Sequence, residues 1–257
     1  MNYLDSIFKL KGKIVIITGA TGQLGNVFCK ALKDIGAIVN GIDLNINKDN
    51  CLEGVNYYEC NIVNKDQLIK TFDEITTKFG RIDILVNNAG VSTFEPFEER
   101  PEEKLDWVMD VNLKGTFFCI QTFVNGLDSR KQNGGSIVNI ASFYGVVSPD
   151  FRIYTDCDRK NSEIYGATKA GVIQMTKYFS VHLAERNVRV NAISPGGIFN
   201  PENPQGQDFI LNYSFRCPMR RMANADEMVG ALLYLAGDAA TYTTGQNIMV
   251  DGGMSSW

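Results

Sequence analysis

The sequence predicts an α/β fold built on a parallel sheet, and two observations carry that expectation. Short, nearly continuous apolar runs such as Lys13–Thr18 (KIVIIT) and Ile82–Val86 suit strands covered on both faces. Between them lie stretches with helical spacing, the first joined to its strand by a glycine-rich turn. A chain of 257 residues suits one domain of this type or two small ones.

Composition narrows the functional classes. Hydrophobic residues make up 44% and charged residues 21%, as in ordinary soluble globular chains. The net charge of −4 gives no support for a nucleic-acid surface. No apolar run approaches the ~20 residues of a membrane span, and Met1 to Lys11 lacks the basic-then-apolar order of a signal peptide. Cys29, Cys51, Cys60, Cys119, Cys157 and Cys217 include no C-x-x-C pair and read as reduced structural thiols of a cytoplasmic protein. His182 is the only histidine, which excludes a multi-histidine metal site; its place before a charged turn predicts a surface or interface position.

Taken in order, Lys13–Thr18 runs into Gly19-Ala20-Thr21-Gly22-Gln23-Leu24-Gly25, and Asn26 to Ile35 reads as helix. Strand, glycine turn and helix form the context of a phosphate cradle: Gly19 for the tight turn, Gly22 for close backbone approach, Gly25 for helix packing. Ala37 to Ile42 is the second strand and ends at Asp43, 18 residues beyond Gly25. A carboxylate there accepts hydrogen bonds from adenosine ribose hydroxyls and repels a 2′-phosphate, which predicts NAD over NADP. The competing reading is a solvated loop aspartate. Val55 to Tyr58 is a third strand. Leu68, Ile69, Phe72, Ile75 and Phe79 have helical spacing behind Asn64 as a cap. Ile82–Val86 is the fourth strand, Ala225 to Leu235 the last helix and Gln246 to Val250 the last strand.

Tyr165 and Lys169 stand four apart, on one face of a helix. A phenol has a pKa near ~10 and must drop by roughly 3 units to act as a base near neutrality, about 4 kcal/mol of phenolate stabilisation. An ammonium ~4 Å away supplies about that much at an effective dielectric of ~20. The spacing also arises by chance on many helices, so the rest of the chain has to decide.

The motifs TGATGQLG at Thr18–Gly25, NNAG at Asn87–Gly90, VNLKG at Val111–Gly115, IVNIAS at Ile137–Ser142, YGATK at Tyr165–Lys169, RVNAISPGG at Arg189–Gly197 and TGQNIMVDGG at Thr244–Gly253 occur in that order. With them the chain resembles the short-chain dehydrogenase/reductase family, in its short single-domain branch. The resemblance implies a Rossmann-type, doubly wound, seven-stranded parallel sheet of order 3-2-1-4-5-6-7 with helices on both faces. It implies one NAD(P)-binding domain over residues 1–257. It also implies Tyr165 as general acid/base, Lys169 as the group that lowers its pKa, Ser142 as the carbonyl-orienting hydroxyl, and Asn112 as holder of a relay water. Cofactor contacts are implied at Gly19, Thr21, Gly22, Gln23, Leu24, Asp43, Asn61, Ile62, Asn88, Ala89, Gly90, Ile140, Tyr165, Lys169, Pro195, Gly196, Gly197 and Ile198. Family members assemble as homotetramers or homodimers, and Trp257 is either an anchor for such a contact or a frayed tail.

Three departures stand out. Gln23 occupies the usual place of the middle glycine. Asn61 stands where an aspartate usually meets the adenine amino group. Ser142 and Tyr165 are 23 apart, about ten more than is common in the family, so an insertion falls within about 148–163 beside the substrate mouth. There Arg152, Tyr154, Arg159 and Lys160 could meet an anionic or polyhydroxylated substrate, or the segment is a solvated excursion. The resemblance implies a substrate lid at about 199–221, and its Asn200, Glu202, Asn203, Gln205, Gln207 and Asn212 are too polar to sleeve a long acyl chain or steroid. The expectation is an NAD-dependent dehydrogenase acting on a small, polar, sugar-derived substrate, with SPGGIFNPENP and PMRRMANADE similar to members tied to flagellin glycosylation and unusual sugars. The alternatives are a 3-oxoacyl-carrier-protein reductase and a non-catalytic dinucleotide-binding regulator.

Overall fold

The computed structural model describes residues 7–156 and 160–257. Cys157, Asp158 and Arg159 of the insertion, and the first six residues, lie outside that range. Seven parallel strands form one sheet in the order β3-β2-β1-β4-β5-β6-β7. They are β1 Ile14–Thr18, β2 Ile38–Asp43, β3 Asn56–Glu59, β4 Ile84–Asn87, β5 Gly135–Ile140, β6 Val188–Pro195 and β7 Asn247–Val250. β1 pairs with β2 through Val15 and Val39 on one side, and with β4 through Val15 and Ile84 on the other. The strand order therefore reverses at β1, and the crevice beyond the carboxyl ends of β1 and β4 is where such a sheet receives a ligand.

Side chains alternate across the sheet. Val15 and Ile17 face a buried layer with Phe28 and Leu32 of α1 (Gln23–Asp34). Ile14 and Ile16 face the opposite layer, with Leu68, Phe72 and Ile75 of α2 (Lys65–Phe79). All five residues of β1 are buried, as its unbroken apolar run requires.

The element ends follow local chemistry. Asn64 caps α2 by accepting from the Gln67 amide at 3.1 Å, and Gly80 ends it in the left-handed region. α1 starts at Gln23, three residues earlier than the sequence suggested, because the glycine turn itself supplies the N-cap at Gly22. α3 (Glu102–Met109) passes through a π-helical stretch, Asp110–Gly115, into α4 (Thr116–Arg130). α5, Glu163–His182, carries the YGATK motif, and α6, Gln207–Arg216, falls within the segment expected to form the lid. The last expected helix divides into a 3-10 turn at Ala225–Met228 and α7, Val229–Ala236, where Glu227 accepts from the Asn224 amide at 2.8 Å. His182 is exposed and stacks on Tyr178, and the Arg216 guanidinium lies 5.3 Å from the centre of the Trp257 ring. No described helix is long and apolar enough to cross a membrane.

Candidate active site

A cavity of about 680 Å³ runs along the carboxyl ends of the strands, from the end of β2 to α5. Its first end is built by the glycine turn. Gly19 has φ +66°, and a Cβ on Gly25 would collide with the Gly19 carbonyl, so backbone packs on backbone there. The N-cap of α1 has no side-chain hydrogen bond, which leaves a helix N-terminus open to an anion. Asp43 is held in place from the turn: the amide and hydroxyl of Thr21 both donate to its Oδ2, at 2.9 and 2.7 Å, and the Leu44 amide donates to Oδ1 at 2.8 Å. Burial and the Asp43 charge together push the nearby Cys29 thiol up to about 12.

The other end gathers the residues of IVNIAS and YGATK. Ser142 follows β5 and caps a 3-10 turn by accepting from the Tyr144 amide at 3.2 Å. Its hydroxyl also faces the Tyr165 phenol and pulls that group's pKa down. Capping the turn and facing the cavity are therefore compatible roles for Ser142. Lys169, 4% exposed, lies along the same face of α5, with Nζ 5.6 Å from the centre of the Tyr165 ring and donating to the Ile140 carbonyl at 2.8 Å. Here the protein differs from the sequence expectation. Burial pushes the Tyr165 phenol above its ordinary range, and the Ser142 hydroxyl only partly opposes this. Lys169 is itself lowered to about 8 by desolvation. The Coulomb argument placed the ammonium against the hydroxyl; here desolvation is the leading influence at both groups.

Asn112 lies behind the wall rather than in it. It is 1% exposed; its Oδ1 accepts from the Val91 amide at 2.8 Å, and its Nδ2 donates to the Val91 carbonyl at 2.9 Å and to Thr168 Oγ1 at 3.0 Å. It sits in the π-helical stretch, in keeping with a helix-distorting amide.

Of the other expected contacts, Gly19, Gly22, Gln23, Leu24, Asp43, Asn61, Ile62, Asn88, Ala89, Gly90, Ile140, Pro195, Gly196 and Ile198 line the cavity, as do Ser142, Tyr165 and Lys169. Thr21 and Gly197 do not. Thr21 buttresses Asp43, and the Gly197 amide donates to the Tyr213 hydroxyl at 2.6 Å. Asn61 Oδ1 accepts from the Val63 amide at 3.0 Å. Trp107 and Val111 also line the cavity and were not anticipated; they lie one turn apart just before Asn112, so the VNLKG motif was the available signal.

A family model described as enoyl-(acyl carrier protein) reductase matches residues 19–255. The 3-oxoacyl-[acyl-carrier-protein] reductase of Thermotoga maritima is 37% identical, the match covering 96% of this chain and 99% of the relative. The ribulose-forming D-arabinitol 2-dehydrogenase of Candida tropicalis is 33% identical over 97% of this chain and 95% of its own. A solved short-chain dehydrogenase from Leptospira borgpetersenii with bound NAD+ superposes with a TM-score of 0.89 at 35% identity, over 99% of this chain and 96% of that one. The chain belongs to the short-chain dehydrogenase/reductase family. It is thus an oxidoreductase of a family that works with NAD(P) on small molecules.

The cavity of this short-chain dehydrogenase/reductase fits a nicotinamide dinucleotide on its own chemistry. The uncapped α1 N-terminus and the glycine backbone suit a pyrophosphate, and Asp43 suits ribose hydroxyls.

The expected insertion is fastened to α6. Asp156 Oδ2 accepts from the Phe209 amide at 3.3 Å, in the first turn of α6. Asn212 donates to Thr155 Oγ1 at 2.8 Å, and Arg216 Nε to Asp150 Oδ2 at 3.3 Å. The Tyr154 ring packs 5.1 Å from Phe209, with its hydroxyl 3.3 Å from that of Tyr144. Arg152 pairs with Asp150, and Lys160 lies over the Phe151 ring. None of these residues lines the main cavity. Amides of the 199–221 segment serve local backbone as well: Asn200 Oδ1 accepts from the Glu202 amide at 3.1 Å, and Gln205 donates to the Ile198 carbonyl at 3.0 Å.

Proposed function

We propose that the protein is an NAD-dependent dehydrogenase that interconverts a secondary alcohol and a ketone on a small, polar, sugar-derived substrate. The observation that carries this is the joint presence, along one cavity, of Ser142, Tyr165 and Lys169 at one end and the fastened Asp43 carboxylate at the other. NAD supplies the hydride acceptor or donor. Tyr165 exchanges the proton of the substrate hydroxyl, and Ser142 donates to the same oxygen as charge changes on it. Lys169 supplies positive charge one helical turn away, and Asn112 holds the Gly90–Val91 wall. Asp43 accepts from the adenosine ribose hydroxyls and disfavours a 2′-phosphate. In this reading residues 1–257 form one dinucleotide-binding domain whose lid, with the 148–163 insertion behind it, closes over the substrate. The chain works in the cytoplasm as a homotetramer or homodimer.

The arabinitol dehydrogenase relative and the polar lid support a polyol or sugar substrate. The 37% identity to a 3-oxoacyl-carrier-protein reductase supports acyl-thioester reduction as the second reading. NADH absorbance at neutral and alkaline pH, with pentitols, aldoses, sugar acids and an acetoacetyl thioester, separates the two. Turnover of a polyol, lost in Tyr165→Phe, is expected. Turnover of the thioester alone would replace the first reading with the second.

A further inference from the structure

Arg100 is not part of the cavity wall, yet its side chain is only 5% exposed. Its Nε and Nη2 donate to Glu163 Oε1 and Oε2, both at 2.9 Å, in a bidentate fork. From the same head, Nη2 donates to the Glu95 carbonyl at 3.1 Å and Nη1 to the Glu95 carboxylate at 3.4 Å. Glu163 is the first residue of α5, and Tyr165 follows two positions later. Glu95 belongs to the segment that continues from the Gly90–Val91 wall.

That segment is therefore tied to α5 at two points: Asn112 holds both Val91 and Thr168, and Arg100 holds both Glu95 and Glu163. Tyr165 lies on the stretch of helix between these ties. Ser162, which caps the helix, accepts from the Tyr165 amide at 3.3 Å, so the first turn has local support as well. The carboxylate side chains are 36% and 50% exposed, so water can solvate them when the buried guanidinium is removed. What a planar bidentate head supplies is orientation.

We propose that Arg100 is a positioning residue, a brace that sets the first turn of α5 against the opposite wall of the cavity and so fixes where the Tyr165 hydroxyl stands. The inference rests on the reading of Tyr165 as the proton-transfer group. It differs from a plain surface ion pair in requiring the fork: one charge in the right place is not enough.

The test compares Arg100→Met, Arg100→Lys, Glu163→Gln and the reversed pair R100E with E163R in the full chain. Hydrogen exchange at the 163–167 amides is expected to quicken roughly tenfold in R100M and R100K, with the melting temperature nearly unchanged. On the polyol that gives the highest turnover in the NADH assay, kcat should fall by roughly tenfold with KM held, as expected for a misplaced reacting group. The reversed pair should recover part of both. Arg100→Lys behaving like the unaltered protein, or exchange unchanged in R100M, would overturn the brace. Should R100M fail to fold, E163Q removes the same fork without touching the Glu95 contact. If the unaltered enzyme turns over no polyol, the substrate reading fails, while the exchange data still decide Arg100.

Discussion

The Gln23 side-chain amide donates to the Phe199 carbonyl at 2.7 Å, joining the glycine turn to the first residue of the lid. The family resemblance places a glycine at this position, and a glycine has no side chain to make this tether. Phe199 is also held through its amide to the Ala223 carbonyl at 2.9 Å. An exposed hydrogen bond contributes on the order of 1 kcal/mol. Gln23→Ala is therefore expected to speed amide exchange across residues 198–210 about fivefold, with global stability little changed. Unchanged exchange would mean that the Ala223 pairing holds the lid by itself.

Asp43 has two jobs, and substitutions separate them. Asp43→Ala removes both the carboxylate and the acceptor of two Thr21 bonds. Asp43→Asn keeps an acceptor but loses the charge. Both should lower the ratio of kcat/KM for NAD over NADP by at least roughly tenfold, the scale of one charged hydrogen bond. Only Asp43→Ala should also weaken NAD by loosening the turn. An unaltered ratio in both variants would remove Asp43 from cofactor selection.

Lys169 makes stability depend on pH in a set direction. Its pKa falls from 10.5 to about 8 on folding because of desolvation. Below pH 8 both states carry the proton and the folded state bears the full penalty. Between about 8 and 10.5 the unfolded chain binds more protons, so stability rises with pH across that window. Lys169→Met should be more stable than the unaltered protein at pH 7, by up to about 3 kcal/mol less the lost Ile140 bond. The gain should shrink toward pH 10.5. Denaturant unfolding at pH 7 and 10 measures it, and a gain that grew with pH would contradict the assignment.

The Ser142 hydroxyl pulls the Tyr165 pKa down against the larger effect of burial. In Ser142→Ala that pull is gone, so the rising limb of the alcohol-oxidation rate should move to higher pH. A pH–rate profile of the variant reads the shift directly. A limb that stays in place, with only the amplitude lowered, would mean that Ser142 acts on the substrate alone.

The sheet was legible because its signals are local. β1 is an unbroken apolar run, α2 carries its own cap at Asn64 and its own stop at Gly80, and the order of the motifs identified the strand order. The cavity lining was legible from the same motifs, except where a side chain turns away from it. Thr21 sits in the glycine turn but points to Asp43, and nothing in GATGQLG says so. The tether from Gln23 to Phe199 spans 176 positions, and the bond from the Phe209 amide to Asp156 spans 53. Periodicity and spacing are silent about partners that far apart. The direction of the Tyr165 shift was missed for a related reason: the sequence gives the spacing of two charges but not how much water remains around them.

The meeting of Asp156 with the start of the lid helix has a consequence for how this protein can change. A Cβ on Gly206 would run into the Asp156 carboxylate, and α6 has no capping side chain of its own at that position. A side chain at residue 206 would force the Asp156 carboxylate to swing away from the start of α6. Residue 156 cannot lose the carboxylate without leaving the helix end bare. The two positions are thus coupled, and a graft of either segment into a relative keeps this contact only if the other segment travels with it.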